Sequence, residues 1–179
     1  MKRSIGFWAN GFLICGLLIW TGWFFSSPKE NRQAKELEQK GNLLFQKGEP
    51  DLAVLTWYRS IALVPQRPTP YEKISAYYLL KGQWAEAQKV IENGLTRLPS
   101  CANLYFNLGL SCYLSGDYRR AKESFEKVAT LDSYYPDVHY LLGLIYHKEG
   151  REDEAKKEFI REVNLNPASR GAWKKIREQ

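Results

Sequence analysis

A chain of 179 residues that is 44% hydrophobic and 14% aromatic has the material to bury a sizeable core. Its net charge of +6 is mild; Lys2 and Arg3 lie in a first stretch without a single acid, which leaves +4 for everything beyond residue 25. Arg119, Arg120 and Lys122 are interleaved with Glu123 and Glu126, the pattern of a solvated helix face, so the charge does not point to nucleic acid.

Residues 5–25 carry no formal charge. At ~1.5 Å per residue such a run crosses a hydrocarbon core of ~30 Å, which predicts one membrane-spanning helix and makes residues 1–25 an anchor. Phe7 and Trp8 at one end, and Trp20, Trp23, Phe24 and Phe25 at the other, lie where amphipathic rings favour the interface. A cleaved signal peptide is the competing reading, but the run is long for one and Phe25-Ser26-Ser27 is a poor cleavage site. The bulky Ile14 ahead of Cys15 argues against a lipoprotein signal. Asn10, the one strongly polar side chain of the span, either bonds a partner helix or is hydrated at the headgroups. Gly6, Gly11 and Gly16 are five apart and share no helical face, so they make no dimer motif. Lys2 and Arg3 compete with Lys29, Arg32 and Lys35 across the span; a short basic tail before a first apolar segment places the amino terminus in the cytoplasm and the rest outside it, in the periplasm of a bacterium.

Residues 26–33 form a short juxtamembrane link. Ser27, Pro28 and Glu30 read as N-cap, first helical position and capping box, so a helix starts near Pro28 and runs to about Lys47. So short a link holds whatever follows close to the bilayer.

From 34 to 169 the sequence is one 34-residue unit written four times: 34–67, 68–101, 102–135 and 136–169. The fourth place holds Leu37, Tyr71, Tyr105 and His139. The eighth holds Gly41, Ser75, Gly109 and Gly143, and the eleventh Leu44, Tyr78, Cys112 and Tyr146. Ala53, Ala87, Ala121 and Ala155 share the twentieth, Trp57, Ile91, Phe125 and Phe159 the twenty-fourth, and Pro65, Pro99, Ser133 and Pro167 the thirty-second.

This spacing resembles the tetratricopeptide repeat, a helix-turn-helix unit of that period. The small residues at the eighth and twentieth places let the two helices of a unit approach closely. Gly48, Gly82, Gly116 and Gly150 stand where the first helix must stop, a place that favours the left-handed conformation. The larger places fill space between helices, and only stacked units bury them. Thr69-Pro70 with Glu72 reads as the start of the second unit's first helix, Pro136 and Pro167 as openings of later helices, and three prolines within 65–70 as a stiff inter-repeat turn. Residues 170–179, with Trp173 and Ile176 three apart, read as an amphipathic helix covering the last unit's open face. The expected fold is all-α: one transmembrane helix, an α-solenoid of four units, and a C-terminal capping helix.

The residues that carry chemistry are sparse. Cys101 and Cys112 are about 16 Å apart along one helix axis, too far for a disulfide, and Cys112 occupies a core place. His139 and His147 are eight apart with no third converging ligand, and no Ser-His-Asp or phosphate-loop signature is present, so neither metal, cofactor nor enzyme is expected.

The resemblance implies a concave groove lined by the first helices. Carried over, its residues are Asn42 and Phe45, with Glu38, in the first copy, and Leu79 and Leu80, with Glu72 and Ala76, in the second. Phe106, Leu110, Tyr113 and Leu114 follow in the third, and Tyr140, Leu144 and His147 in the fourth. Members that dock chaperone tails clamp a terminal carboxylate with Lys, Asn and Arg. Here Glu38, Asn103 and Asn107 stand at three of those places and only Asn42 matches, which argues against that ligand. An apolar groove suits a helix or apolar segment of a protein partner, with Phe106, Tyr113 and Tyr140 as candidate anchors; Leu110 and Leu144 suit interhelical packing equally. Two functions follow: an adaptor or scaffold for protein–protein interaction at the membrane surface, or a permanent non-catalytic subunit of a membrane complex.

Overall fold

The computed structural model describes residues 26–178. Within them the chain forms helices only: α1 (Pro28–Gln46), α2 (Pro50–Leu63), α3 (Pro68–Leu80), α4 (Trp84–Arg97), α5 (Ala102–Ser115), α6 (Tyr118–Leu131), α7 (Val138–Lys148), α8 (Glu152–Leu165) and α9 (Arg170–Glu178). Successive helices pack on one another in order, most extensively within the pairs α1–α2, α3–α4, α5–α6 and α7–α8. The predicted membrane span, with Asn10 and Cys15, lies outside the described residues. Among those described, no helix is long and apolar enough to cross a membrane.

Local chemistry sets the boundaries. Ser27 Oγ accepts the Glu30 N–H at 3.2 Å and Glu30 Oε2 accepts the Ser27 N–H at 2.7 Å, closing a capping box with Pro28 behind it. At the other end of the first helices Gly48, Gly82, Gly116 and Gly150 all have positive φ. For Gly116, the C-cap of α5 at φ 87, a side chain would cost about 1–2 kcal/mol, which is why the turn there selects glycine.

Each pair is held by one seating. A Cβ on Gly109 would lie 2.6 Å from the Phe125 ring, and one on Gly143 2.5 Å from Phe159, so the eighth-place glycine is the floor on which the twenty-fourth-place ring rests. Trp57 sits on Gly41 in the same way. In the second unit Ser75 and Ile91 hold the corresponding places, and both are fully buried. Ala53, Ala87, Ala121 and Ala155 are likewise buried to the last atom.

Three predicted helix starts move. Helix α3 begins at Pro68 with Arg67 as its uncapped neighbour, not at Thr69-Pro70; a residue before proline is driven to extended backbone, so Pro68 sets the boundary and Pro70 fits inside the first turn, where no N–H is needed. Pro136 does not open a helix. It precedes Asp137 at φ 62, the pattern of a type II turn, and the Asp137 N–H is donated to the buried Glu162 carboxylate at 3.3 Å. Pro167 lies in the turn before α9, and its carbonyl accepts Trp173 Nε1 at 3.0 Å.

Helix α9 covers the end of the stack, but through a different face from the expected pair. Ala172 is fully buried and Ile176 packs with Phe159 and Val163, while Trp173 turns outward. Gly171 lies so close to Tyr140 that a Cβ would meet its ring at 2.8 Å.

Candidate groove between α1 and α3

Neighbouring first helices do not pack evenly. α3 lies directly along α5, whereas α1 makes little close backbone approach to α3. Polar side chains draw α3 and α5 together: Asn107 Nδ2 donates to Ser75 Oγ at 2.9 Å, Asn103 Nδ2 to Glu72 Oε1 at 2.8 Å, and the Tyr135 hydroxyl to Asn103 Oδ1 at 2.8 Å. The gap left between α1 and α3 is a cavity of about 300 Å³ lined by Asn42, Phe45, Gln46, Trp57, Lys73, Ala76, Tyr77 and Leu80. Its walls are mainly rings and aliphatic carbon: Phe45 stacks at 5.9 Å on Trp57 and edge-on at 6.4 Å to Tyr77, and Leu80 is 80% exposed at the mouth. Lys73 is the one ionised group in the lining, so the cavity offers apolar contact, two amide side chains and a single positive charge.

Of the groove residues read from the sequence, Asn42, Phe45 and Leu80, with Ala76, meet around this cavity. The others are distributed elsewhere. Phe106 is half-buried between Phe125 at 5.8 Å and Tyr135 at 5.0 Å, Tyr113 meets Tyr118 edge-on at 5.5 Å, and Leu79 and Leu110 pack on the main core. Tyr140 and Leu144 join the cluster beneath α9. Leu114 is exposed, and His147 is exposed beside Glu152, 2.9 Å away. Glu38 is no groove residue. It is buried, paired with Arg67 through Nε and through Nη2 at 3.0 Å, and accepts Ser60 Oγ at 3.2 Å. Lys73 and Tyr77 were missed as lining because their places, the sixth and tenth, are not among those the resemblance gives to the groove; Gln46 shares the thirteenth place with Leu80 and Leu114, and that place was the signal that could have found it.

The two thiols among the described residues are not poised as reagents. Burial pushes the thiols of Cys112 and Cys101 above their ordinary value, away from the thiolate form. Tyr58, desolvated and beside Tyr78, is pushed up to about 12. His139 Nδ1 lies 2.7 Å from Glu158, and among the described residues no three His, Cys, Asp or Glu side chains converge as a metal site.

Helix pairs stacked at a fixed sequence period define a helical-repeat scaffold. Two family models described as tetratricopeptide repeat match it, at residues 77–136 and 113–178, so together they reach from α3 to α9. The chain belongs to the tetratricopeptide repeat family. It is 31% identical over 100 residues to the lipoprotein NlpI homolog of Haemophilus influenzae, covering 55% of this chain and only 32% of that protein. Its fold is similar to that of PilF from Pseudomonas aeruginosa, with a TM-score of 0.74 at 17% identity over 84% of this chain and 68% of that one. It is also similar to the first repeat domain of Spaghetti bound to an HSP90 peptide, with a TM-score of 0.62 at 20% identity over 67% of this chain and 95% of that one.

Proposed function

We propose that this protein is a membrane-anchored, non-catalytic scaffold that recruits or assembles a complex by binding an apolar segment of a protein partner between α1 and α3. The observation that carries the reading is the open cavity at Phe45, Tyr77 and Leu80, where an exposed leucine and the exposed Phe45 ring stand over the buried Tyr77 at a gap that polar bonds close one repeat further on. Large apolar side chains left open at a concavity are where binding energy concentrates. Residues 5–25, uncharged and long enough to span a bilayer, supply the anchor in this reading, and the link of residues 26–33 keeps the groove near the surface. The lining holds no cluster of cations, and Asn103 and Asn107 are engaged with α3, so the ligand is an internal apolar segment and not a carboxylate tail.

Purification from native membranes in mild detergent tests this. Phe45→Ser with Leu80→Ser is expected to lose the bound partner while helicity and melting are kept. Recovery of the same partners with the double variant contradicts the groove. A fixed-stoichiometry assembly that survives it identifies a permanent subunit held by other surfaces.

A further inference from the structure

Helix α2 departs from its three counterparts on its outer face. Where α4 carries Glu86, Lys89 and Glu92, and α6 carries Arg120, Glu123 and Glu126, α2 has Leu52, Leu55 and Tyr58. These three are 52, 49 and 40% exposed. In α8 the same places hold Glu154, Lys157 and Ile160. The repeat offers its own comparison: one backbone position is presented four times, and α4 and α6 fill it with charge, Arg120 pairing with Glu92 at 3.0 Å. Residues three apart share a helical stripe, so α2 exposes an apolar band where its counterparts expose mainly charge.

The residues around Leu55 indicate what covers the band. Leu52 and Tyr58 lie three places from Leu55 in opposite directions, and Asp51 and Arg59 lie four places away. Read outward from its centre, the segment is apolar on both sides and then ends in an acid one way and a base the other. When two such helices lie antiparallel across a two-fold axis at Leu55, Leu55 meets Leu55, Leu52 stands level with Tyr58 of the other copy, and each Asp51 stands level with an Arg59. An isologous contact requires this self-complementarity, whereas an unrelated partner or a lipid surface gains nothing from it. Asp51 Oδ1 is held in place by the Tyr77 hydroxyl at 2.9 Å. Beside the band, Leu55 and Tyr58 border a cavity of about 410 Å³ that Tyr77, Tyr78 and Lys81 complete, so the face is contoured.

We propose that two copies of this chain pair through the outer face of α2, in antiparallel register about Leu55. The contact leaves both α1–α3 grooves free, so it stands or falls separately from partner binding.

Size-exclusion chromatography with light scattering on the full chain in mild detergent, from about 1 to about 100 µM, reads the assembly. The expected mass is that of two chains at the upper end. Leu52→Glu with Leu55→Lys, the charges α4 carries at those places, is expected to raise Kd about 100-fold or more and leave single chains with an unchanged melting curve. Arg59→Asp should weaken pairing about tenfold, and adding Asp51→Arg should restore it. A chain that is monomeric at the upper concentration overturns the proposal and assigns the band to a different protein or to lipid. A dimer that persists in the Leu52→Glu, Leu55→Lys variant overturns it too and assigns pairing to another part of the chain.

Discussion

Glycine at the eighth place of a unit works by what it lacks. Gly109 sits inside α5, where alanine would favour the helix by about 1 kcal/mol. The Phe125 ring, fully buried, would stand 2.6 Å from the new Cβ, and forcing such contact in a packed core costs about 1–3 kcal/mol. Set against that gain, the overpacking leaves a net loss for Gly109→Ala of up to about 2 kcal/mol, read as a lower midpoint of urea unfolding. An unchanged or raised midpoint would show that the ring shifts freely. Small residues at these places were legible in the sequence as a need for close approach. That these glycines are matched to aromatic partners was not legible, because it depends on which two side chains face each other.

At the scale of the element, helix ends carry the testable electrostatics. The Ser27 N–H, and then its hydroxyl, hold the Glu30 carboxyl below its ordinary value of 4.5. A carboxyl depressed on folding contributes stability above its unfolded value and loses it as pH falls through the lower folded one. An NMR titration of Glu30 should therefore show a midpoint below 4.5, with fraying of the first turn of α1 beginning as that midpoint is crossed. Ser27→Ala, which removes the hydroxyl and keeps the N–H, should bring the midpoint only part of the way back toward 4.5.

The turn between α2 and α3 depends on Arg67. Its guanidinium compensates the buried Glu38, and its own pKa is raised, chiefly by hydrogen bonding to that carboxylate. Arg67→Ala leaves a charge uncompensated inside the protein, which costs about 3 kcal/mol given that the Arg is itself partly exposed. Glu38→Gln in the same chain should recover part of the loss in a denaturation series, and failure to recover it would mean that Arg67 acts through packing alone. The sequence disclosed Glu38 as a groove place and as a departure from the chaperone-docking pattern, not as half of a buried pair, since its partner lies 29 residues away in a turn. Prolines were legible as boundaries, but two of them belong to turns; the left-handed Asp137 depends on Glu162, another distant carboxylate.

For the whole molecule, four phased units leave two ends and the α1–α3 groove to account for. Helix α9 covers the C-terminal end through Ala172 and Ile176, and deleting residues 170–179 should expose Tyr140, Leu144 and Phe159, lower the melting temperature and increase dye binding. The all-helical stack was legible from the period together with the tetratricopeptide resemblance it carries, because each unit's core places recur at one interval. The groove was legible in part: Asn42, Phe45 and Leu80 converge, while Phe106, Tyr113 and Tyr140 are engaged with neighbouring rings whose approach no repeat pattern encodes.

Photo-cross-linking in native membranes tests the central claim most directly, with the reactive residue placed at Leu80 or, as a control, at Glu126 on the outer face of α6. The account predicts a discrete protein adduct from Leu80 that Phe45→Ser abolishes and that Glu126 does not give. The absence of an adduct at Leu80, or the same adducts from both positions, would contradict it.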